Sequence, residues 1–365
     1  MKNGKTVYYY RTYSPDGVRT TARSTGMTNK TQARNYCAQL LSQGLLYTGK
    51  SMTFAGYAEN FFGDNSQWMQ DKIQSCAGKP QPVAKNTLRL YRHLNTDYLI
   101  PYFARLKLAD IKPVHIKKFR QKMIDEGKSN GVINVSCACL KIIFSYAISD
   151  GFMLSNPFST IQQMYINARS RSAFDEEILK TAFSKEWKNG VRKICCMIGA
   201  VTGMRMSELL AIRKDTLFED YIDVRDQRYN GELMPVKDCE MRKVRISPDM
   251  HKMISWCIKQ TGEFAFPECS DIYRYELYEY CELTKEKRKE SRLSFHSLRH
   301  FFNTYLLNNE IPELKVKSIL GHSSGKGSMT ERYANFTPEH FDDVAALQDR
   351  LIEKFDPQNL LRRFV

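Results

Sequence analysis

With 365 residues, 42% of them hydrophobic and 12% aromatic, the chain is long enough for two or three domains with their own cores and too apolar to be disordered. It contains no run of about 18 uncharged apolar residues and opens on Met1, Lys2 and Lys5 rather than an apolar leader, so neither a membrane span nor a signal peptide is expected, and the cytoplasm is the predicted location. The ten cysteines lack paired metal-ligand spacing, and Cys137 with Cys139 and Cys195 with Cys196 read as buried thiols of a reducing compartment.

The net charge of +15 is unevenly spread: residues 1–50 carry +7, residues 51–170 another +7, and residues 171–365 only +1. A large basic excess confined to two consecutive stretches predicts a polyanion grip, and double-stranded DNA fits it.

In chain order, residues 6–13 and 18–25 are strand-like around the turn formers Pro15, Asp16 and Gly17, and a helix capped by Thr28 or Asn29 is expected through about Leu41. Arg11, Arg19 and Arg23 lie on this small sheet. From Thr53 to about Asn156 the pattern is helical: Phe54, Tyr57 and Phe61 share a face, a helix follows Val83, another opens at Pro113, and Val132 to Ala147 mark a long amphipathic one. Lys117, Lys118 and Lys141 are candidate phosphate contacts there. Residues 167–172 read as a linker. Beyond it, Asp175 caps a helix, residues 191–201 form an apolar helix ended by Gly203, and residues 204–212 form the next. Strands at 221–226 and 243–247 are expected around a turn at Asn230 and Gly231, with helices resuming near Asp249, Asp271, His296 and Pro312. The predicted fold is multidomain and mainly α. It comprises a small N-terminal β-sheet with a helix, a helical domain, and a mixed mainly-α domain with a small antiparallel sheet.

The chemistry concentrates near the C-terminus. His296, Arg299 and His300 are followed by Leu320, Gly321 and His322, then by Arg332 and Tyr333. Arginine matches phosphate because its planar fork offers parallel hydrogen bonds to two anionic oxygens, and histidine can donate to a third or move a proton. A tyrosine beside such a cradle is a candidate nucleophile. Upstream, Arg205 follows Thr202, Gly203 and Met204, with Glu208 one turn on to orient it, and Lys237 lies in the expected hairpin.

This ordered set resembles the catalytic domain of the tyrosine recombinases, the integrase family of phages and integrative conjugative elements. The resemblance implies an arm-type DNA-binding module at 1–50, a core-binding domain at 51–160, a catalytic domain at 170–345, and a tail at 346–365 exchanged between subunits. It implies that Arg205 and Arg299 bind the non-bridging oxygens of the scissile phosphate and that His322 hydrogen-bonds the same phosphate. His296 would act with the nucleophile Tyr333 in proton transfer, Lys237 would protonate the leaving 5′ oxygen, and His300 would support from behind. No metal, cofactor or nucleotide is implied. The implied partners are attachment-site DNA, three further copies of the chain in a tetramer, a DNA-bending host protein and an excision factor. A type IB topoisomerase-like enzyme and a DNA-binding protein with a decayed site are the alternatives. The spacing from His322 to Tyr333 is two residues longer than the family's usual one. Tyr305, inside the expected His296 helix, reads as core.

Overall fold

The computed structural model describes residues 6–12, 19–42, 52–77, 83–153, 155–166, 172–236, 241–321 and 336–356. The chain folds as two units, Met1–Ala168 and Arg169–Val365.

In the first unit, β1 (Tyr9–Tyr10) pairs antiparallel with β2 (Arg23–Ser24), followed by α1 (Lys30–Ser42). Asn29 caps α1, its side-chain oxygen accepting from the Thr31 amide at 2.8 Å. The helical part comprises α2 (Phe54–Ala58), α3 (Gln67–Ser75), α4 (Lys85–Leu94), α5 (Ile100–Phe103), α6 (Pro113–Asp125) and α7 (Asn130–Ser149). Five of these turns have a physical start: Thr53, Ser66 and Ser129 cap α2, α3 and α7 through their hydroxyls, while Pro101 and Pro113 stand in the first turns of α5 and α6. The core is aromatic, with Phe54 centred 5.3 Å from Phe103 and 6.3 Å from Phe144. By length and composition alone α7 is apolar enough to cross a membrane, although it carries Lys141. Its Ile133, Leu140, Ile143, Phe144 and Ala147 are instead fully buried in this core.

The second unit is built around α9 (Gly190–Thr202), whose residues from Lys193 onward are all buried. Around it lie α8 (Glu176–Phe183), α10 (Met206–Leu209), α11 (Pro248–Thr261), α12 (Ser270–Tyr280), α13 (Lys285–Ser291), α14 (His296–Asn308), α15 (Glu313–Leu320) and α16 (Asp342–Phe355). Gly203 ends α9 in the left-handed region, φ 62°, and a β-carbon there would meet Leu320 Cδ2 at 2.6 Å. Only glycine satisfies both demands.

The strands depart from expectation. Asn230 (φ 50°) and Gly231 (φ 81°) form a two-residue turn, but it closes an inner hairpin of β4 (Asp226–Tyr229) and β5 (Glu232–Pro235). The expected partners, β3 (Tyr221–Val224) and β6 (Arg242–Arg245), pair outside it, with Ile222 opposite Val244 and Asp223 opposite Lys243. A tight turn fixes the register of its immediate neighbours, so the strands farther out form a separate ladder.

Two helical expectations are also corrected. The helix foreseen over 204–212 is a single α-turn, because the chain leaves Gly203 extended through Arg205 (φ −69°, ψ 147°). The tail foreseen from residue 346 belongs, as far as Asp356, to its own unit. There Leu351 and Phe355 are fully buried, and Phe355 packs 5.5 Å from Phe183 and 6.0 Å from Phe301. Residues 357–365 lie outside the described residues.

Candidate active site

Arg205 stands at the start of α10, where Glu208 reaches back: its Oε2 accepts from the Arg205 amide at 2.9 Å and its Oε1 from Arg205 Nη1 at 2.7 Å. The helix start therefore offers no vacant anion site, since a carboxylate of the same turn already fills it. Arg205 Nη2 donates to the Gly321 carbonyl at 3.0 Å, and Gly321 immediately precedes His322 in the chain.

Glu208 has a second arginine that sequence reasoning missed. Arg242 on β6 donates through Nη2 to Glu208 Oε2 at 2.7 Å and through Nη1 to Oε1 at 3.1 Å, while its Nε donates to the Ile319 carbonyl at 2.9 Å. The signal was present in strand alternation, which puts Arg242 on the same face as Val244 and Ile246, both buried. Burial by itself would push the Glu208 carboxyl up, but Arg242, and then Arg205, more than reverse this and hold it at about 2.

Arg299, on α14, is in the opposite condition. Its side chain is buried at 2% exposure, Nη1 donates to the Gly203 carbonyl at 3.1 Å, and among the described residues neither Nε nor Nη2 has a partner. Burial, with repulsion from Arg205 and Arg242, pulls the guanidinium down to about 9. A buried cation with unmade hydrogen bonds is costly, and an anion would satisfy both its charge and its donors.

His296, half-buried at the start of α14, and Arg205 line one cleft of about 580 Å³ with Arg228, Tyr229 and Cys269. The His296 ring lies edge-on to that of His300, centres 5.0 Å apart, and His300 is exposed. The fold thus brings Arg205, Glu208, His296 and Arg299 into one region of the second unit. Lys237, His322 and Tyr333 lie outside the described residues. Lys243, the other lysine near the hairpin, stands opposite Asp223 in the β3–β6 ladder and holds its ammonium 4.6 Å from the centre of the Tyr221 ring. Tyr305 is buried and stacks on Phe301 at 6.1 Å, as a core residue does.

In the first unit Lys117 and Lys118 are exposed on α6, whereas Lys141 is half-buried with its ammonium 5.2 Å over the Phe158 ring. Arg11 and Arg19 are exposed, and Arg23 on β2 is half-buried. The paired cysteines are buried: burial pushes the Cys139 thiol up to about 12 and raises those of Cys195 and Cys196 well above the ordinary thiol value.

Comparison with known proteins matches residues 176–340 to the phage integrase family and residues 78–124 to the phage integrase N-terminal SAM-like domain. The chain is 24% identical over 262 residues to a "Tyrosine recombinase XerC-like" protein of Caldanaerobacter subterraneus subsp. tengcongensis, a match spanning 60% of this chain and 66% of that protein, just under two thirds. It is 20% identical over 304 residues to the "ICEBs1 integrase" of Bacillus subtilis, spanning 77% of this chain and 81% of the relative. A lambda integrase dimer bound to a COC' core site shares the fold at a TM-score of 0.56 and 19% identity, over 92% of this chain and 95% of that one. Two family matches in the right order, on a chain whose site assembles two arginines and a histidine, lead to one assignment: the chain belongs to the tyrosine recombinases, the phage-integrase family of site-specific DNA recombinases.

Proposed function

We propose that this recombinase cuts and rejoins its attachment-site DNA through a 3′-phosphotyrosine at Tyr333, without metal or nucleotide. The observation that carries the reading is Arg299, a buried guanidinium beside Arg205 with two nitrogens lacking partners among the described residues. Such a group binds a phosphate with fixed geometry, and the interaction strengthens as negative charge builds up on the phosphorus oxygens. Arg299 and Arg205 take the two non-bridging oxygens, and His322 donates to the same phosphate. His296 takes the phenolic proton as the Tyr333 oxygen bonds to phosphorus; the bond from phosphorus to the 5′ oxygen breaks, and Lys237 protonates that oxygen. Attack by a 5′-hydroxyl of the partner duplex reverses these steps and rejoins the strands. The phosphoester energy stays in the adduct, so no nucleotide is consumed.

The basic N-terminal stretches hold the DNA: Arg11, Arg19 and Arg23 in an arm-type module at 1–50, and Lys117, Lys118 and Lys141 in a core-binding domain at 51–160, ahead of a catalytic domain at 170–345. Four copies act together on paired sites in the cytoplasm of a cell carrying a mobile element, with a bending protein and an excision factor as accessory partners. Residues 357–365 are the part of the tail left to dock on a neighbouring subunit.

The test is a supercoiled plasmid carrying two copies of a site from the DNA flanking the gene. Deletion or inversion between the sites is the expected product. Relaxation of any plasmid, with or without sites and with no recombinant, would replace this reading with a topoisomerase-like one. Tight binding with no cleavage of any DNA would indicate a decayed site.

A further inference from the structure

Two hydrogen bonds, one from each of two arginines, converge on one short piece of chain. Arg205 and Arg242 grip the same Glu208 carboxylate, and each also donates to a carbonyl at the end of α15: Arg205 to Gly321 at 3.0 Å, Arg242 to Ile319 at 2.9 Å. The Glu208 side chain is 2% exposed and the Arg242 side chain 9%, so little water competes for these bonds. Gly321 completes the arrangement. It is left-handed (φ 64°), and a β-carbon there would come within 3.0 Å of Arg242 Nη1 and 3.1 Å of its Cδ. The glycine is therefore required for backbone shape and also for the close approach of Arg242.

We infer that Arg242 is a positioning residue for strand cleavage: through Glu208 it fixes the guanidinium of Arg205, and through the Ile319 carbonyl it fixes the turn from which His322 departs. This rests on the reading of Arg205 as a phosphate ligand. Geometry makes an arginine necessary. One planar fork reaches both carboxylate oxygens while its Nε spans to a carbonyl on another element, whereas a lysine offers one nitrogen that cannot occupy all three positions. Arg242 lies on β6, five residues beyond Lys237, so the same side chain also ties the strand that follows the hairpin lysine to the turn that precedes His322. A charge that merely held the fold together would have no reason to contact both.

The experiment compares wild type, Arg242→Lys and the neutral pair Glu208→Gln with Arg242→Met, on a nicked duplex that traps the cleaved state. DNA affinity and single-turnover cleavage are measured separately, at a temperature where each protein is folded by circular dichroism. Arg242→Lys keeps the charge and is expected to bind DNA within about twofold of wild type while cleaving about 10- to 100-fold more slowly. The neutral pair removes the two most buried charges of this cluster together while leaving the more exposed Arg205 without its carboxylate, and it is expected to stay slow although folded. Wild-type cleavage by Arg242→Lys, or by the folded neutral pair, would overturn the inference, as would a loss confined to DNA affinity. Arg205→Lys serves as control: if it cleaves normally, the reading of Arg205 as a phosphate ligand fails first, and that failure is distinct from a dead Arg205→Lys beside a normal Arg242→Lys.

Discussion

Arg205 and Arg299 carry the same group and lie close enough to repel, yet the fold treats them oppositely. Around Arg205 the charges are matched: its guanidinium and that of Arg242 share the Glu208 carboxylate, and each also reaches a backbone carbonyl. Arg299 has one backbone carbonyl and two nitrogens without partners among the described residues. The first cluster is satisfied within the fold, whereas Arg299 keeps charge and donors that the described residues do not use. Under the proposed reading, the phosphate supplies what Arg299 lacks, and its cost to the fold is offset only when DNA is bound.

Removing the unmatched arginine should sharpen this contrast most. Arg299→Met is expected to lower single-turnover cleavage by about 10³-fold, comparable to losing a main transition-state donor. The same change should raise the stability of the free protein by about 1–3 kcal/mol, because a buried charge lacking an anion is replaced by an apolar side chain of similar volume. Parallel losses of activity and stability in urea melts would contradict the contrast.

On the matched side the sign reverses. Glu208→Gln leaves two guanidinium groups without their carboxylate and should cost about 3–5 kcal/mol in chemical denaturation. An unchanged midpoint would show that the cluster is not a stability element. Acid should reproduce part of this loss in wild type. The carboxyl is held at about 2 against its ordinary 4.5, so its contribution is complete above pH 4.5 and is lost as pH falls toward 2. Between pH 6 and pH 3 wild type should lose about 2 kcal/mol more than Glu208→Gln, read from denaturation curves at the two values.

The smallest effect concerns the carbonyl that Arg299 does hold. Gly203→Ala introduces a β-carbon 2.6 Å from Leu320 Cδ2 and 3.1 Å from Phe302 Cδ1 at a left-handed residue. A loss of about 1–3 kcal/mol and a several-fold slower cleavage are expected, because the backbone that orients Arg299 shifts with it. Stability falling with cleavage untouched would uncouple Gly203 from the site.

Much of this was legible in the sequence because it is local. The apolar run of α9, its glycine stop, the Asp175 cap and the order from Arg205 through Arg299 can each be read from a few neighbouring residues. What escaped depends on distant partners or on the absence of a pattern. Arg242 gains its meaning from Glu208, 34 positions earlier, and from Ile319, 77 positions later. The brevity of α10 follows from the extended path imposed at Gly203 and Arg205. Helix α13, Lys285–Ser291, has no apolar face for periodicity to detect. The tail looked available for a neighbour because an amphipathic stripe does not say which surface it meets. The structure gives Leu351 and Phe355 to their own core, and buries Asp356 with Lys193, 3.6 Å apart.

The most direct test of the central claim is covalent capture. A panel of nicked duplexes tiled over the DNA flanking the gene is incubated with wild type, Tyr333→Phe and Tyr305→Phe in EDTA, denatured in SDS and resolved by electrophoresis. A protein–DNA band is expected on at least one duplex, kept by Tyr305→Phe and absent from Tyr333→Phe. A band that survives Tyr333→Phe, or one that forms only when a divalent metal is restored, would contradict the claim.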